Sequence, residues 1–182
     1  MSISASAQGQ TSSVTVKRPK FSDLWSAYPI NSTAEQAYRL VGGSPLAHYE
    51  ENPRGYANAC AIRLSRSFNH GNFPLTRQRL SKVPRYYALS GGDGKPYLLR
   101  VNDIIKYVQN NLGKPDIELV ADGTNQSRRF AGRKGIIIFI ISGWGDATGH
   151  VTLWNDYECG DKCYFQPDNA KLIKILFWDL KD

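Results

Sequence analysis

A continuous apolar run at residues 135–141, Gly-Ile-Ile-Ile-Phe-Ile-Ile, constrains the fold of this chain more than any other segment. Its length suits a buried strand and is far below the roughly 20 residues that span a bilayer. A strand that is apolar at consecutive positions is covered on both faces of its sheet. We therefore expect a sheet with packed layers on both sides at this strand, and no membrane insertion.

Further strands follow this run, and helices precede it. Residues 150–154 alternate between apolar and polar side chains, and residues 171–178 are apolar and aromatic, so both segments predict strands. A helix is predicted at residues 103–112, with Asn102 as its N-cap and Gly113 after its end. Helices first and strands second indicate an α+β domain.

Two earlier helices are predicted from the residues that begin them. Ser32 and Glu35 have the spacing of a capping box, which opens a helix that ends at Gly42. Asn58 is a favourable N-cap for a second helix over residues 59–68. This second helix is expected to pack against the sheet.

The first residues differ in composition from the rest of the chain. Residues 1–16 consist mainly of Ser, Ala, Gln, Gly, Thr and Val without periodicity, which predicts a mobile N-terminal extension. We place this extension at residues 1–20 and a single folded domain at residues 21–182. The extension contains no apolar segment typical of a signal peptide. We therefore expect synthesis in the bacterial cytoplasm and secretion without a signal peptide.

The chain is basic, with 23 Lys and Arg against 16 Asp and Glu and a formal net charge of +7. This charge favours encounter with polyanions such as nucleic acid, acidic lipids or bacterial cell wall. The basic residues are scattered, and no nucleic-acid-binding motif surrounds them. We therefore expect no nucleic-acid partner.

Cys60 is expected in the first turn of the helix at residues 59–68. Peptide dipoles and free N–H groups at a helix N-terminus favour a thiolate and can also hold the oxyanion of a tetrahedral intermediate. Cys60 is therefore the expected nucleophile. The alternative is an inert cysteine buried in an apolar stripe, which is a common position for free cysteines.

His150 opens a predicted strand directly after a glycine-rich loop at residues 142–149, which is a common setting for an active-site residue. We expect it to act as a general base. Gly149 lets either backbone or substrate approach closely, and we expect it to contact substrate; Trp144 is suited to form a wall of a cleft. Asn58, which precedes the helix of the nucleophile, is also expected to bind substrate.

A thiol–imidazole pair needs a third group that fixes the tautomer of the imidazole. Asp161, eleven residues after His150, is the expected third group, and Asp156 is its competitor. Asp161 lies between Cys159 and Cys163, whose spacing can close a small disulfide loop if the chain turns there. A zinc site at this pair would need two further ligands nearby, so we expect a disulfide, no metal and no cofactor. Such a disulfide indicates an oxidising compartment.

Three separated segments of the chain resemble family four of the type VI secretion amidase effectors. They are residues 58–65, Asn-Ala-Cys-Ala-Ile-Arg-Leu-Ser; residues 149–155, Gly-His-Val-Thr-Leu-Trp-Asn; and residues 159–163, Cys-Gly-Asp-Lys-Cys. The resemblance runs from about residue 21 to the C-terminus. It implies a papain-like fold of the NlpC/P60 type, in which a catalytic cysteine on a helix packs against an antiparallel sheet.

The same resemblance implies an activity and partners. The family's nucleophile corresponds to Cys60, its base to His150 and its acid to Asp161. The implied substrate is the bond between γ-D-glutamate and meso-diaminopimelate in peptidoglycan stem peptides, cleaved in the periplasm of a target cell. The implied partners are the type VI secretion apparatus and a cognate immunity protein.

Two other functions remain open from the residues alone. The same three residues could catalyse acyl transfer or deamidation on a papain-like fold, because a fold does not determine its chemistry. Alternatively, the chain could be a cell-wall binding module in which Cys60 is inert.

Overall fold

The computed structural model describes residues 2–7, 10–15, 17–145 and 148–182. The six helices are α1 (Phe21–Ala27), α2 (Ala34–Val41), α3 (Gly43–Glu51), α4 (Cys60–His70), α5 (Arg77–Leu80) and α6 (Val101–Leu112). The nine strands are β1 (Ser2–Ala7), β2 (Gln10–Thr15), β3 (Ala88–Ser90), β4 (Pro96–Leu98), β5 (Ile117–Val120), β6 (Lys134–Ser142), β7 (Gly149–Asn155), β8 (Glu158–Cys159) and β9 (Lys171–Asp179). A short 3-10 helix, Ser127–Phe130, precedes β6.

A five-stranded sheet forms the centre of the domain, in the order β5-β9-β6-β7-β8, and every neighbouring pair is antiparallel. The predicted apolar strand is the middle one, β6, which pairs with β7 on one side and with β9 on the other. The three strands predicted from the sequence and the α+β class are thereby confirmed. The expected antiparallel sheet is also present.

Helices cover one face of this sheet. Ile136 and Ile138 of β6 lie on that face together with Val151 and Leu153 of β7, and all four are fully buried. They pack in one core with side chains of α1, α4 and α6. The helical members of this core include Leu24, Leu64, Phe68, Ile104 and Val108. The helix that begins at Cys60 therefore packs against the sheet as expected.

The opposite face is covered by short segments. Ile137 and Phe139 of β6 point to this side and pack with Phe130 of the 3-10 helix and with Phe165. The consecutive isoleucines of β6 are thus buried alternately in two cores, because successive side chains of a strand point to opposite faces. The prediction of a sheet covered on both faces is confirmed.

Three predicted helix starts are wrong by one or two residues, because the polar side chains bind other groups. The Ser32 hydroxyl donates to the Pro29 carbonyl at 2.9 Å, and the capping box of α2 is instead formed by Thr33 and Gln36. Helix α6 begins at Val101, and Asn102 accepts a hydrogen bond of 3.0 Å from the hydroxyl of Thr148.

The third displaced start is that of α4. Its N-cap is Ala59, not Asn58, and the helix begins at Cys60. Asn58 nevertheless acts on this terminus, because its side-chain oxygen lies 3.5 Å from the backbone nitrogen of Cys60. That distance is at the limit for an N–H···O hydrogen bond.

The predicted extension, residues 1–20, includes the paired strands β1 and β2, which form a separate two-stranded sheet. Arg18 lies against the domain, where it forms an ion pair with Asp116 and donates to the carbonyls of Leu112 and Asp179. The division of the chain at residue 20 stays a prediction. Within the described residues, no helix is both long and apolar enough to cross a membrane.

Candidate active site

Cys60 is the first residue of α4 and is buried, with 1% of its surface exposed. The first intrahelical hydrogen bond runs from the Arg63 nitrogen to the Ala59 carbonyl at 3.0 Å. The N–H groups that precede it have no acceptor within the helix. The thiol therefore lies at the positive end of the helix, among donors that can stabilise negative charge.

His150 is the second residue of β7, a strand that packs against α4. It is 5% exposed, and its Nε2 lies 3.0 Å from Oδ1 of Asp161. The ring packs edge-on against Tyr164, with a centroid distance of 4.8 Å. Because Nε2 is bound to Asp161, Nδ1 is the nitrogen that remains for Cys60.

The charges of these groups stabilise one another. Burial works to lower the pKa of His150, but the negative charge of Cys60 and the hydrogen bonds to Asp161 and Cys60 outweigh it and raise the pKa to about 9. Burial works to raise the pKa of Asp161, and the contacts with His150 and Arg63 lower it overall. At neutral pH the site therefore contains a protonated imidazole held against a carboxylate.

Asp161 is carried by the short loop that the Cys159–Cys163 disulfide closes, with a Cα–Cα distance of 5.5 Å. The predicted disulfide is thus present. The competitor, Asp156, lies in the turn after β7, where it accepts a hydrogen bond from the Gly132 backbone. Of the two carboxylates, Asp161 is the one that the fold brings to His150.

Arg63 is a site residue that the sequence analysis did not identify. Its guanidinium lies 3.2 Å from Oδ2 of Asp161, on the side of the carboxylate opposite His150. The sequence does contain a signal for it, because residues three apart on a helix lie on the same face. Arg63 follows Cys60 by three positions and therefore reaches the same site.

Two cavities open on the site from either side of Asn58 and Trp144. The first, of about 530 Å³, is lined by His150 and Asp161, and the second, of about 780 Å³, is lined by Cys60. Asn58 and Trp144 line both cavities, and their contact with substrate stays a prediction.

At Gly149 the group that approaches closely is backbone, one of the two alternatives for this glycine. It does not line either of these two cavities. A side chain at Gly149 would place its Cβ 2.2 Å from the carbonyl oxygen of Phe139, so this glycine permits close packing of β7 on β6. Tyr164, by contrast, was not expected at the site and lines the first cavity beside Trp144. Within the glycine-rich loop, residues 146 and 147 lie outside the described residues.

The other two histidines lie elsewhere. His48 is in α3 and stacks on Tyr56, and His70 ends α4 and contacts Asp93. In the part of the chain that the structure describes, no group of three or more His, Cys, Asp or Glu side chains could hold a metal ion.

A comparison with protein families identifies the chain. The family model described as type VI secretion system (T6SS) amidase effector protein 4, Tae4, matches residues 56–178, which is more than half of the chain. The chain belongs to the Tae4 family. The matched span contains Cys60, His150 and Asp161. Among curated protein sequences, none matches the chain significantly.

Solved structures of Tae4 proteins are similar to this chain. Tae4 from Enterobacter cloacae has a TM-score of 0.78 at 36% identity, over 92% of this chain and 100% of that chain. The Tae4–Tai4 effector–immunity complex from Salmonella Typhimurium gives 0.76 at 34% identity, over 90% and 99%. The corresponding complex from Enterobacter cloacae gives 0.78 at 36% identity, over 91% and 100%.

Membership in the Tae4 family gives the class of activity. The chain is an enzyme, an amidase effector of the type VI secretion system, with the papain-like α+β fold that the sequence resemblance implied. Effectors of this system are delivered to target cells.

Proposed function

We propose that this Tae4 family member hydrolyses the amide bond between γ-D-glutamate and meso-diaminopimelate in peptidoglycan stem peptides. Cys60 is the nucleophile, His150 transfers protons and Asp161 orients His150. The observation that carries this proposal is the buried His150 ring, which is held by Asp161 at 3.0 Å and interacts with Cys60. Hydrolysis of an amide is the reaction that the family name describes.

In the first half of the reaction, the Cys60 thiolate attacks the γ-carbonyl carbon of D-glutamate. The negative charge that develops on the carbonyl oxygen faces the free N–H groups at the start of α4. The side-chain oxygen of Asn58 faces the Cys60 nitrogen, so its amide nitrogen is available as a further donor to this oxygen. Collapse of the tetrahedral intermediate breaks the C–N bond.

Protons move through His150 in both halves of the reaction. The imidazolium donates its proton to the leaving amine of meso-diaminopimelate, and the acyl group stays on Cys60 as a thioester. The neutral imidazole then takes a proton from a water molecule, which attacks the thioester. The products are the γ-carboxylate of D-glutamate and the restored pair of Cys60 thiolate and His150 imidazolium.

The charge of the cleft supports an acidic substrate. D-Glutamate that is linked through its γ-carboxyl retains a free α-carboxylate, and diaminopimelate carries a further carboxylate. Lys162 lines the first cavity and Arg100 lines the second. A cation in each cavity suits a stem peptide that extends in both directions from the cleaved bond.

We infer that the protein acts in the periplasm of the target cell, where the cell wall lies, and the disulfide beside Asp161 is suited to that oxidising compartment. Because the similar structures include complexes with the immunity protein Tai4, we infer a cognate immunity partner for this chain.

The test is mass spectrometry of purified peptidoglycan after incubation with the protein. Cleavage between γ-D-glutamate and meso-diaminopimelate is expected for the wild-type protein and not for Cys60→Ala. Release of ammonia or transfer of the acyl group to an added amine, without cleavage of the stem, would instead identify a deamidase or an acyltransferase.

A further inference from the structure

We propose that Arg63 is a positioning residue of this active site, which holds the Asp161 carboxylate in the orientation that fixes His150. The proposal rests on the proposed function for its catalytic consequence. Its geometric basis is a row of four side chains, from Cys60 through His150 and Asp161 to Arg63.

The two oxygens of the Asp161 carboxylate have separate partners. Oδ1 accepts from Nε2 of His150 at 3.0 Å, and Oδ2 accepts from the Arg63 guanidinium at 3.2 Å. The side chains of Arg63 and Asp161 are only 11% and 8% exposed. A carboxylate bound through both oxygens cannot rotate about its terminal bond without breaking one of these contacts. Arg63 therefore restricts the direction from which Asp161 meets the imidazole.

The other two nitrogens of Arg63 each form a hydrogen bond within the protein. One terminal nitrogen donates to the Ser32 carbonyl at 2.8 Å, and Nε lies 3.3 Å from the Ser32 hydroxyl. That hydroxyl in turn donates to the Pro29 carbonyl. Although Arg63 lines the first cavity, the segment before α2 holds its guanidinium in place, so its main contact is with Asp161 and not with substrate.

Helix α4 supplies both ends of the row. Cys60 and Arg63 lie on one face of the helix, one turn apart, while Asp161 is supplied by the disulfide-closed loop and His150 by β7. The contact between Arg63 and Asp161 thus ties the loop to the helix that carries the nucleophile. A shift of the loop would move the carboxylate relative to both His150 and Cys60.

The electrostatic surroundings of Asp161 give this contact a measurable effect. The charged and titratable groups that face Asp161 are His150 of β7, Arg63 and Cys60 of α4, and the buried Tyr28. Thr152 adds a hydrogen bond that also lowers the pKa of Asp161. His150 and Arg63 are the cations of this group, so loss of Arg63 raises the pKa of Asp161. The acid side of the pH profile of Cys60 alkylation is then expected to move to higher pH.

The experiment compares the wild-type protein with Arg63→Met, Arg63→Gln and Arg63→Lys. Arg66→Met is the matched control, because Arg66 lies on the same helix and bonds to the Ala27 carbonyl, away from Asp161. Two quantities are measured, kcat and KM on peptidoglycan fragments and the rate of Cys60 alkylation by iodoacetamide as a function of pH. Alkylation needs no substrate, and Cys60 lines the second cavity.

For Arg63→Met we expect kcat to fall by roughly 10- to 100-fold with KM within about twofold, since only positioning is lost. The pH at which the alkylation rate reaches half of its maximum on the acid side should rise. Arg63→Lys should recover part of both losses, and Arg66→Met should behave as the wild type. Thermal unfolding shows which variants are folded. If Arg63→Met does not fold, Arg63→Gln, which keeps an amide donor, takes its place in the comparison.

Two results would overturn the proposal. One is a folded Arg63→Met or Arg63→Gln protein with wild-type kcat and an unchanged alkylation profile. The other is a raised KM with unchanged kcat, which would assign Arg63 to substrate binding. If the wild-type protein cleaves no peptidoglycan, the proposed function fails, and the alkylation profiles still decide the role of Arg63.

Discussion

At the scale of single residues, the charge of the site depends on one buried imidazole. His150 is held by a carboxylate on one side and interacts with the nucleophilic sulfur on the other. Its pKa of about 9, against an ordinary value of 6.5, keeps the ring protonated at neutral pH. This state is the one that the first half of the reaction requires, because the leaving amine must receive a proton.

The pH dependence of the reaction follows from this shift. Because the folded pKa of His150 lies above the unfolded value, its stabilising contribution is fully present below pH 6.5 and is lost as the pH rises through about 9. We expect kcat/KM to fall on the alkaline side with a midpoint near pH 9, and the melting temperature to decrease over the same window. Rate profiles and thermal unfolding at a series of pH values check this. An alkaline midpoint near pH 6.5 would contradict the paired state of His150.

Substitution of the three site residues should give graded losses. Cys60→Ala and His150→Ala should each lower kcat/KM by roughly 10⁴-fold or more, because each removes a reacting group. Asp161→Asn should cost less, about 100-fold, since the amide still bonds the imidazole but lacks the charge that stabilises the imidazolium. Hydrolysis of peptidoglycan fragments is the measurement. His70→Ala is the control for His150→Ala, because His70 lies at the far end of α4.

The same series tests the choice of the third residue. Asp156→Asn is expected to leave the rate nearly unchanged, because Asp156 bonds the Gly132 backbone in a turn away from His150. A large loss in this variant together with a wild-type rate for Asp161→Asn would show that the carboxylates had been assigned in the wrong order.

At the scale of elements, the disulfide-closed loop determines where Asp161 lies. Because the loop is short, closing it lowers the conformational entropy of the unfolded chain only modestly. The disulfide therefore adds about 2 kcal/mol to the free energy of unfolding, which is lost when the disulfide is removed. For a chain of 182 residues this corresponds to a fall in melting temperature of about 4–8 °C. Its larger effect is expected on catalysis, because the two sulfurs flank the residue that orients His150.

The double variant Cys159→Ser and Cys163→Ser should therefore melt a few degrees lower and lose a larger factor in kcat than in KM. Calorimetry and kinetics on the same sample measure both effects. Non-reducing peptide mapping of protein from an oxidising compartment should find the two cysteines joined and Cys60 free. Two free thiols at these positions in active protein would show that catalysis does not require the disulfide.

The elements that could be predicted from the sequence are those with a strong local pattern. The isoleucine run, the β-branched strands and the helix at residues 103–112 are recognisable from periodicity, and β6, β7, β9 and α6 lie there. Helices α1 and α3 and the strand β5 were not predicted. Helix α1 is seven residues long and β5 four, too short for a clear period, and α3 has an apolar face that is weakly developed.

The site was predictable to a similar extent. Cys60, His150 and Asp161 could be selected because each lies in a recognisable setting, a helix start, a strand start and a cysteine pair. Arg63 has a weaker signal, its position three residues after Cys60, and its role depends on a contact with Asp161 across 98 residues of sequence. The position of Tyr164 depends on ring packing against His150, which no local pattern predicts. A glycine permits close approach either of substrate or of another backbone segment, and the sequence does not distinguish the two. At Gly149 the approaching group is the neighbouring strand.

At the scale of the whole molecule, the fold forms one basic cleft with the reacting groups between its two cavities. The net charge of +7 favours encounter with an anionic wall polymer, and a cation in each cavity is available to a bound stem peptide. These properties have an effect only where polymerised peptidoglycan is present. The toxicity of the protein should therefore depend on the compartment in which it is placed.

We expect the protein to lyse Gram-negative cells when an added signal peptide directs it to the periplasm and to be harmless when expressed without one. Cys60→Ala, expressed in both ways, completes a four-way test in which only the periplasmic wild-type protein lyses the culture. The reason is twofold, since the substrate lies outside the cytoplasmic membrane and the disulfide beside Asp161 forms in that oxidising compartment. Loss of optical density and release of a periplasmic marker enzyme measure lysis. Equal toxicity of the cytoplasmic form, or lysis by the periplasmic Cys60→Ala protein, would mean that the damage does not come from hydrolysis of the wall by this thiol.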